Sequence, residues 1–305
     1  MANGLVGGKV AIVTGGGRGI GRAIAMLLAE EGAAVTVVDI GAALDGSGTD
    51  RGPAEDVTAE IKGKGGKAIA STLSISDAKN AEAIVDATLQ AFGRVDILIN
   101  NAGILRDRMF HKMSHLDWLE VIQVNLNGAF NMARAVAGHF REQNGGAMVH
   151  MTSTSGLIGN VGQANYMASK LGLHGLSRGI ALDMQRYNVR SNCIAPAAWS
   201  RMTSSIPAES EAAKARLARL QQMTPDKNAP LAVFLSSDGA AGITGQIFGV
   251  RNNEVFLFSQ TRPIRTLHRG EGWTPQRLAE QLPGAFKASL TPLEVSADVF
   301  PWDPV

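Results

Sequence analysis

Close to the N-terminus a short apolar strand, Lys9 to Thr14, runs straight into Thr14-Gly-Gly-Gly-Arg-Gly-Ile-Gly21, and helical periodicity follows from Arg22 to Glu31. A glycine run between a strand and a helix is a phosphate-binding turn, because the helix start turns unpaired N–H groups and the positive end of its dipole toward an anion. Gly15 permits the sharp turn, Gly19 lets backbone N–H groups approach a pyrophosphate, and Gly21 lets helix and strand pack closely. The N-terminal part is thereby committed to a βαβ unit around a dinucleotide. Gly15, Gly17, Arg18, Gly19 and Ile20 are the cofactor-binding residues of the turn.

The second strand, Ala34 to Val38, ends in Asp39. A carboxylate there accepts hydrogen bonds from both adenosine ribose hydroxyls and repels a 2′-phosphate, which favours NAD over NADP. Arg18 has two readings: it pairs with a phosphate, or it packs over adenine. Residues 41–53 are polar and glycine-rich and read as a long surface loop. A helix over 54–62, a strand over 67–73, a helix over 77–92 and a strand over 95–99 continue the alternation, which implies a parallel sheet. The chain's 305 residues suffice for one large α/β domain or two small ones.

The fourth strand ends in Asn100-Asn101-Ala102-Gly103, at the edge where such sheets hold their ligands. The two amides either brace neighbouring strands or touch the cofactor. Arg106 and Arg108 follow, and they meet an anionic substrate, a subunit neighbour, or a solvated salt-bridge cluster. A long helix is expected over 116–143. Asn125 lies on its buried face, where an amide is costly unless hydrogen-bonded, and can hold a water; Asn127 points outward.

Ala147 to Met151 reads as a buried strand delivering Ser153, and a glycine-rich loop over 156–162 leads into a helix to about Tyr187. On that helix Tyr166 and Lys170 are four residues apart, hence on one face. An ammonium beside the phenol favours its ionised form and makes a proton donor usable near neutral pH. A serine hydroxyl at Ser153 can lie beside the same phenol. Taken alone such a Tyr/Lys pair is common on solvated helix faces; the surrounding elements give it meaning. A strand over 188–195 follows, and Pro196 opens a loop through Trp199, Ser200, Arg201, Met202 and Thr203. A charged amphipathic helix over 209–222 is a candidate lid, followed by a helix over 230–236 and a last strand over 246–250.

Net charge is +2, with no Lys/Arg cluster interleaved with aromatics, so nucleic acid is not an expected partner. No apolar run has the length of a spanning helix, and the expectation is a soluble, unprocessed protein. The single cysteine, Cys193, lies in an apolar stretch and reads as a packed thiol, compatible with a reducing cytoplasm. The six histidines show no ligand pattern, so no metal is expected.

The glycine loop, the Asn-Asn-Ala-Gly run, Asn125, Ser153 and the Tyr166/Lys170 pair resemble, in order and spacing, the classical short-chain dehydrogenase/reductase family over roughly residues 5–250. A narrower resemblance is to the (3R)-hydroxyacyl-CoA dehydrogenase part of the peroxisomal multifunctional enzymes and their bacterial relatives. It rests on Asp39-Ile40-Gly41 with the long loop after it, residues 100–108, Gly162-Gln163-Ala164-Asn165-Tyr166, and Ser200-Arg201-Met202-Thr203. What the resemblance implies is an α/β fold, a Rossmann-like, doubly wound, seven-stranded parallel sheet with helices on both faces. Residues 1–254 would form it, and 255–305 would be an extension packing on the domain or a neighbouring subunit, in a homo-oligomer, dimer or tetramer.

The resemblance also implies an NAD-dependent oxidoreductase exchanging a hydride with a secondary alcohol or ketone. A (3R)-3-hydroxyacyl-CoA is the leading substrate; a steroid, a sugar alcohol or a 3-oxoacyl carrier-protein substrate is the same-chemistry alternative. A non-catalytic dinucleotide-sensing protein is the alternative from another class. Tyr166 would exchange the proton and Ser153 would orient the substrate oxygen. Lys170 would lower the tyrosine pKa and hold the nicotinamide ribose, and Asn125 would position a water for proton relay. Asn101, Ala102 and Gly103 would flank the cofactor, with Pro196 and Ser200 near its carboxamide. Ser74-Ile75 stands where many members carry Asp-Val, so backbone or hydroxyl would have to hold the adenine. Pro196-Ala197 replaces a Pro-Gly pair, and Asn252-Asn253 replaces a glycine pair.

Overall fold

Alternate residues of a strand face opposite ways, and the apolar core divides accordingly. Ala11 and Val13 face one side with Val35, Val37, Ile97 and Ile99, whereas Ile12, Leu98 and Met148 face the other. Strands apolar on both faces must be covered on both, which is why this sequence makes a sheet between two helical layers. The computed structural model describes residues 4–198 and 211–304, with only the backbone for residues 211–213, 215 and 216.

The strands are β1 (Val10–Thr14), β2 (Ala34–Val38), β3 (Lys67–Ser71), β4 (Ile97–Asn100), β5 (Gly146–Met151), β6 (Val189–Ala197), β7 (Ile247–Arg251) and β8 (Glu254–Leu257). They lie in the order β3-β2-β1-β4-β5-β6-β7-β8. The helices are α1 (Gly19–Glu30), α2 (Gly52–Gly63), α3 (Ala78–Phe92), α4 (His115–Ile122), α5 (Gly128–Glu142), α6 (Thr154–Leu157), α7 (Ala164–Met184), α8 (Glu211–Gln221), α9 (Ala229–Ser236), α10 (Pro275–Phe286) and α11 (Ser296–Val299). Ile24 and Leu28 of α1, Val57 and Ile61 of α2 and Val233 of α9 cover one face. Ile84 of α3 and Met132, Val136 and Phe140 of α5 cover the other. Each such large side chain, once buried, contributes about 1.5–3 kcal/mol.

The doubly wound architecture is as expected, with four corrections. Among the described residues the sheet has eight strands rather than seven, because Glu254–Leu257 folds back antiparallel on β7. Asn252, in the left-handed conformation at φ 56°, makes that tight reversal possible where a glycine pair had been the family habit. Pro196 does not open a loop but lies within β6, paired with Val250. Beyond Ile194 that strand has β7 alone as a partner, so a residue without an N–H is tolerated there.

The helix expected over 116–143 is broken by a π turn at Gln123–Asn127. The extra residue turns Asn125 fully inward and leaves Asn127 exposed. The loop after Ser153 begins as one helical turn, α6.

Candidate active site

The chain runs outward from β1 through β2 to β3, then returns to β4 on the other side of β1, so the crevice lies at the carboxyl ends of β1 and β4. There Gly15 has φ 61° and Gly19 φ 53°, values an L side chain adopts at a cost. A Cβ on Gly21 would overlap the Gly15 carbonyl and the Asn101 amide, so helix and turn pack as closely as expected. A Cβ on Gly19 would meet nothing within 4 Å, which leaves its side of the turn open. No side chain caps the N-terminus of α1 and its first turn holds no acidic residue, so those N–H groups remain available to an anion.

Asp39 ends β2 with one carboxylate oxygen accepting from Gly17 N at 2.9 Å and the other from Gly41 N at 2.7 Å. These bonds hold a negative charge at the rim of the turn. Arg18 reaches over it: its guanidinium donates to Gly41 O and Ala42 O and lies 3.7 Å from Asp50. Of the amide pair, Asn100 donates to Ala129 O and to His150 Nδ1. Asn101 donates to Thr14 O at 3.1 Å and Gly15 O at 3.0 Å. The bracing reading therefore describes both side chains, and both amide hydrogens of Asn101 are taken. Ala102 and Gly103 come next along the crevice floor. Ile75 is buried in the core with its carbonyl taken by Asn131, which leaves the Ser74 hydroxyl and backbone as the polar groups at that position.

Ser153 follows β5 and Tyr166 lies on the first turns of α7, bringing hydroxyl and phenol into hydrogen-bond contact. Lys170 is buried, and its ammonium donates to Met151 O at 2.7 Å while lying 5.6 Å from the Tyr166 ring centre. The expected lowering of the phenol pKa is overturned. Burial pushes Tyr166 up to about 12, the Ser153 hydrogen bond opposes this, and the Asp107 charge adds to it. Burial likewise pushes Lys170 down to about 8. Desolvation thus outweighs the attraction that helical spacing alone suggested.

Asn125 is wholly buried; its Oδ1 accepts from Ile104 N at 2.8 Å, and its Nδ2 donates to Ile104 O and Ser169 Oγ. A Cβ on Gly103 would lie 3.2 Å from that Oδ1 and 3.4 Å from Lys170 Nζ, so both groups border one small space that glycine keeps open.

Four supporting residues were not foreseen. Thr152 donates to Lys170 O at 2.6 Å, Ser169 to Tyr166 O at 2.8 Å, and Gln163 to Asp107 at 2.8 Å. His150 is buried between Asn100 and Ser191. Gln163 and Ser169, each three residues from Tyr166 and so near it on the helix, carried a positional signal; Thr152 and His150 carried none. Arg106 pairs with Asp117 and Glu120, so it belongs to the salt-bridge reading, while Arg108 remains exposed and donates to Asp107 O. Ser200 and Arg201, with the rest of 199–210, lie outside the described residues. No group of three or more potential metal ligands occurs among the described residues, and no described helix is long and apolar enough to cross a membrane.

The family model for short chain dehydrogenase matches residues 9–211. The chain is 42% identical to the peroxisomal multifunctional enzyme type 2 of Mus musculus over 228 residues, 75% of this chain but only 30% of that protein. It is 37% identical to a hydroxyacyl-CoA dehydrogenase of Mycobacterium tuberculosis, covering 90% of this chain and 87% of that one. The crystal structure of a short chain dehydrogenase from Mycobacterium avium superposes with a TM-score of 0.83 at 36% identity, over 96% of this chain and 99% of that one. The chain belongs to the short-chain dehydrogenase family, as a classical member close to the dehydrogenase part of the peroxisomal multifunctional enzymes.

Proposed function

We propose that this oxidoreductase uses NAD to interconvert (3R)-3-hydroxyacyl thioesters, with CoA as the carrier, and their 3-oxo forms. The observation that carries the reading is the grouping of Ser153 with the Tyr166 phenol and of Lys170 with the Tyr166 ring, Lys170 also bordering the space at Gly103 beyond β4, next to the strand that ends in the uncapped glycine turn. The residues present fit a dinucleotide. Gly15, Gly17, Gly19 and Ile20 form a turn with room for a pyrophosphate, Asp39 suits ribose hydroxyls, and Lys170 borders the crevice where a second ribose would lie. When bound, the nicotinamide supplies the hydride chemistry.

The chain's own residues supply placement and the proton. Ser153 donates to or accepts from the substrate oxygen and holds it against the phenol. Burial keeps Tyr166 protonated, so it gives its proton to a developing alkoxide, and in oxidation it must first lose that proton. Ser169 ties Asn125 to the Tyr166 carbonyl and Thr152 ties β5 to Lys170, which keeps α7 in register with the strand end. Asn125 borders the same small space as Lys170, and its Oδ1, with Ile104 N as one donor, can accept a further hydrogen bond from a water held for the lysine.

NAD over NADP rests on Asp39, whose charge opposes a 2′-phosphate, and on Arg18 being engaged by the 41–50 loop rather than standing free. The thioester reading is supported by the likeness to a hydroxyacyl-CoA dehydrogenase along nearly the whole chain. Arg106, held in ion pairs, favours a second reading in which the substrate is a neutral secondary alcohol. Exposed Trp118 and Leu119 of α4, Phe130 of α5 and Leu171 of α7 support a homo-oligomer, dimer or tetramer. The buried free thiol of Cys193 suits a reducing compartment such as the cytoplasm.

The test is the rate of NAD and of NADP reduction, side by side, with (3R)-hydroxyacyl-CoA and with a panel of secondary alcohols. Turnover with NAD and the thioester, abolished in Tyr166→Phe while NAD binding persists, is the expected result. Turnover with NADP alone would overturn the Asp39 argument, and turnover confined to free alcohols would overturn the substrate.

A further inference from the structure

The long loop after β2 reaches across the carboxyl end of the sheet. Its tip meets the segment that follows β4. Leu105 N donates to Leu44 O at 3.1 Å, Arg106 Nε donates to Asp45 O at 3.1 Å, and a Cβ on Gly46 would lie 3.1 Å from the Ile104 side chain. Strands β2 and β4 flank β1 on either side. A loop that starts at one and touches down beyond the other therefore passes over the end of β1, where the glycine turn begins.

The loop is closed at its root. Asp50 N donates to Ile40 O at 2.9 Å, and Gly41, at φ 70°, lies so near Asp50 that a Cβ there would overlap the Asp50 carbonyl. The tip is a compact turn, with Ala43 N donating to Ser47 O at 2.8 Å and Gly46 N to Ala43 O at 3.0 Å. Between them Gly48 has φ 73° and open space around its Cβ position. A closed root, a compact tip and a glycine between them let such a loop swing as a unit.

The landing site is fixed from behind. Both backbone groups of Ile104 are bound by Asn125, and Arg106 O accepts from Asn165, the residue before Tyr166 on α7. The Arg106 guanidinium is held to Asp117 and Glu120 of α4. Tip and landing site are joined, among the described residues, by two hydrogen bonds and the Gly46–Ile104 contact. Leu44 stays half exposed, so the tip buries little apolar surface, and this junction opens more easily than the root or the landing site.

Resting on the reading of the glycine turn as a dinucleotide site, we infer that residues 43–47 are a strap across that turn, and that release of the dinucleotide waits on the strap's tip leaving residues 104–106. The strap's path decides which ligand it retains. A dinucleotide lies across the switch point with its pyrophosphate at the turn, so a strap from β2 to beyond β4 crosses its middle. A mononucleotide confined to the Asp39 side is not crossed and leaves unhindered.

Stopped-flow fluorescence of NADH release and calorimetry of AMP binding test this on wild type and on a variant lacking residues 44–46. The Ala43–Ser47 hydrogen bond shows that the deletion joins ends already close; the root, Asp39 and the Arg18 contacts are kept. NADH release is expected to be about tenfold faster in the variant, the worth of roughly two ordinary hydrogen bonds, with AMP affinity within about twofold of wild type. A second protein, Leu44→Cys with Leu105→Cys, is joined by a short bismaleimide; the native thiol of Cys193 is buried. Crosslinked after NADH is bound, it should release NADH about tenfold more slowly, and crosslinked before, it should take NADH up about tenfold more slowly.

Unchanged NADH rates in both proteins would overturn the proposal. So would equal losses of AMP and NADH affinity in the deletion, which would make the loop a wall of the adenosine site. If the deletion fails to fold, the crosslinked pair decides. If wild type binds NADPH and not NADH, the NAD reading fails and the same rates with NADPH decide the strap; if it binds neither dinucleotide, both fall.

Discussion

His150 offers a quantitative test of how the site is supported. Its imidazole is completely buried on β5, three residues before Ser153. The Asn100 amide nitrogen that approaches Nδ1 also donates to the Ala129 carbonyl, so it is a donor and Nδ1 must accept. Nε2 then carries the proton and donates to Ser191 Oγ, which continues to Ser177. A second proton has no acceptor on the Nδ1 side. Burial first, and the nearby Lys170 charge second, push the group from 6.5 down to about 4.

A histidine held neutral by folding binds its proton more weakly in the native state than in the unfolded one. The stabilisation is therefore complete above pH 6.5 and is lost as pH falls from there toward 4. A displacement of that size corresponds to about 3 kcal/mol, a large part of the stability of an ordinary domain. The perturbation is acidification of wild type and of His150→Leu. The variant removes the titrating group, yet Asn100 keeps Ala129 O and Ser191 keeps Ser177 as partners.

Urea unfolding at fixed protein concentration across the range measures it. Wild type is expected to lose up to about 1.4 kcal/mol per pH unit more than the variant between the two values, and nothing extra above 6.5. Parallel stability curves for the two proteins within that window would refute the assignment of a buried neutral imidazole.

The Tyr166 phenol, pushed up to about 12 by burial, must ionise before it can accept a proton from an alcohol. The rate of alcohol oxidation should therefore climb between about pH 7 and pH 9 while carbonyl reduction does not; an oxidation rate flat over that range would place the proton elsewhere. Gly21→Ala forces a Cβ onto the Gly15 carbonyl and the Asn101 amide, and calorimetry should show dinucleotide binding weakened by about tenfold or more. Gly63→Ala, which meets nothing within 4 Å on α2, should leave binding unchanged and raise stability by about 0.5–1 kcal/mol in thermal unfolding.

Local rules were enough for much of this protein. Strand, glycine turn and helix at 9–31 read correctly because each step depends on neighbours in sequence: apolar alternation, φ freedom at Gly15 and Gly19, and the dipole of α1. The caps of α3 by Asp77 and of α10 by Thr274 are equally local, a side chain meeting a backbone N–H a few residues on. The order of Ser153, Tyr166 and Lys170 with Asn125 identified the family before any contact was known.

What only the tertiary structure decided is what depends on burial and on contacts between distant segments. Helical spacing placed Lys170 beside Tyr166, but the sign of the phenol's shift came from the desolvation that the surrounding elements impose. Spacing could not tell that Asn101 would brace Thr14 and Gly15, or that Arg106 would turn to Asp117 and Glu120, because those partners come from other elements. The π turn at Asn125 was likewise hidden, arising where the buried amide is pulled toward Ile104 and Ser169; residues 255–258 have good strand propensity in the sequence, but their antiparallel return onto β7 depends on a left-handed Asn252 standing in for glycine. The extension's sequence showed its aromatics; only the fold brought Ser296 to Gly159, 137 residues away, because a chain-closing contact between segments so far apart leaves no periodic trace in either.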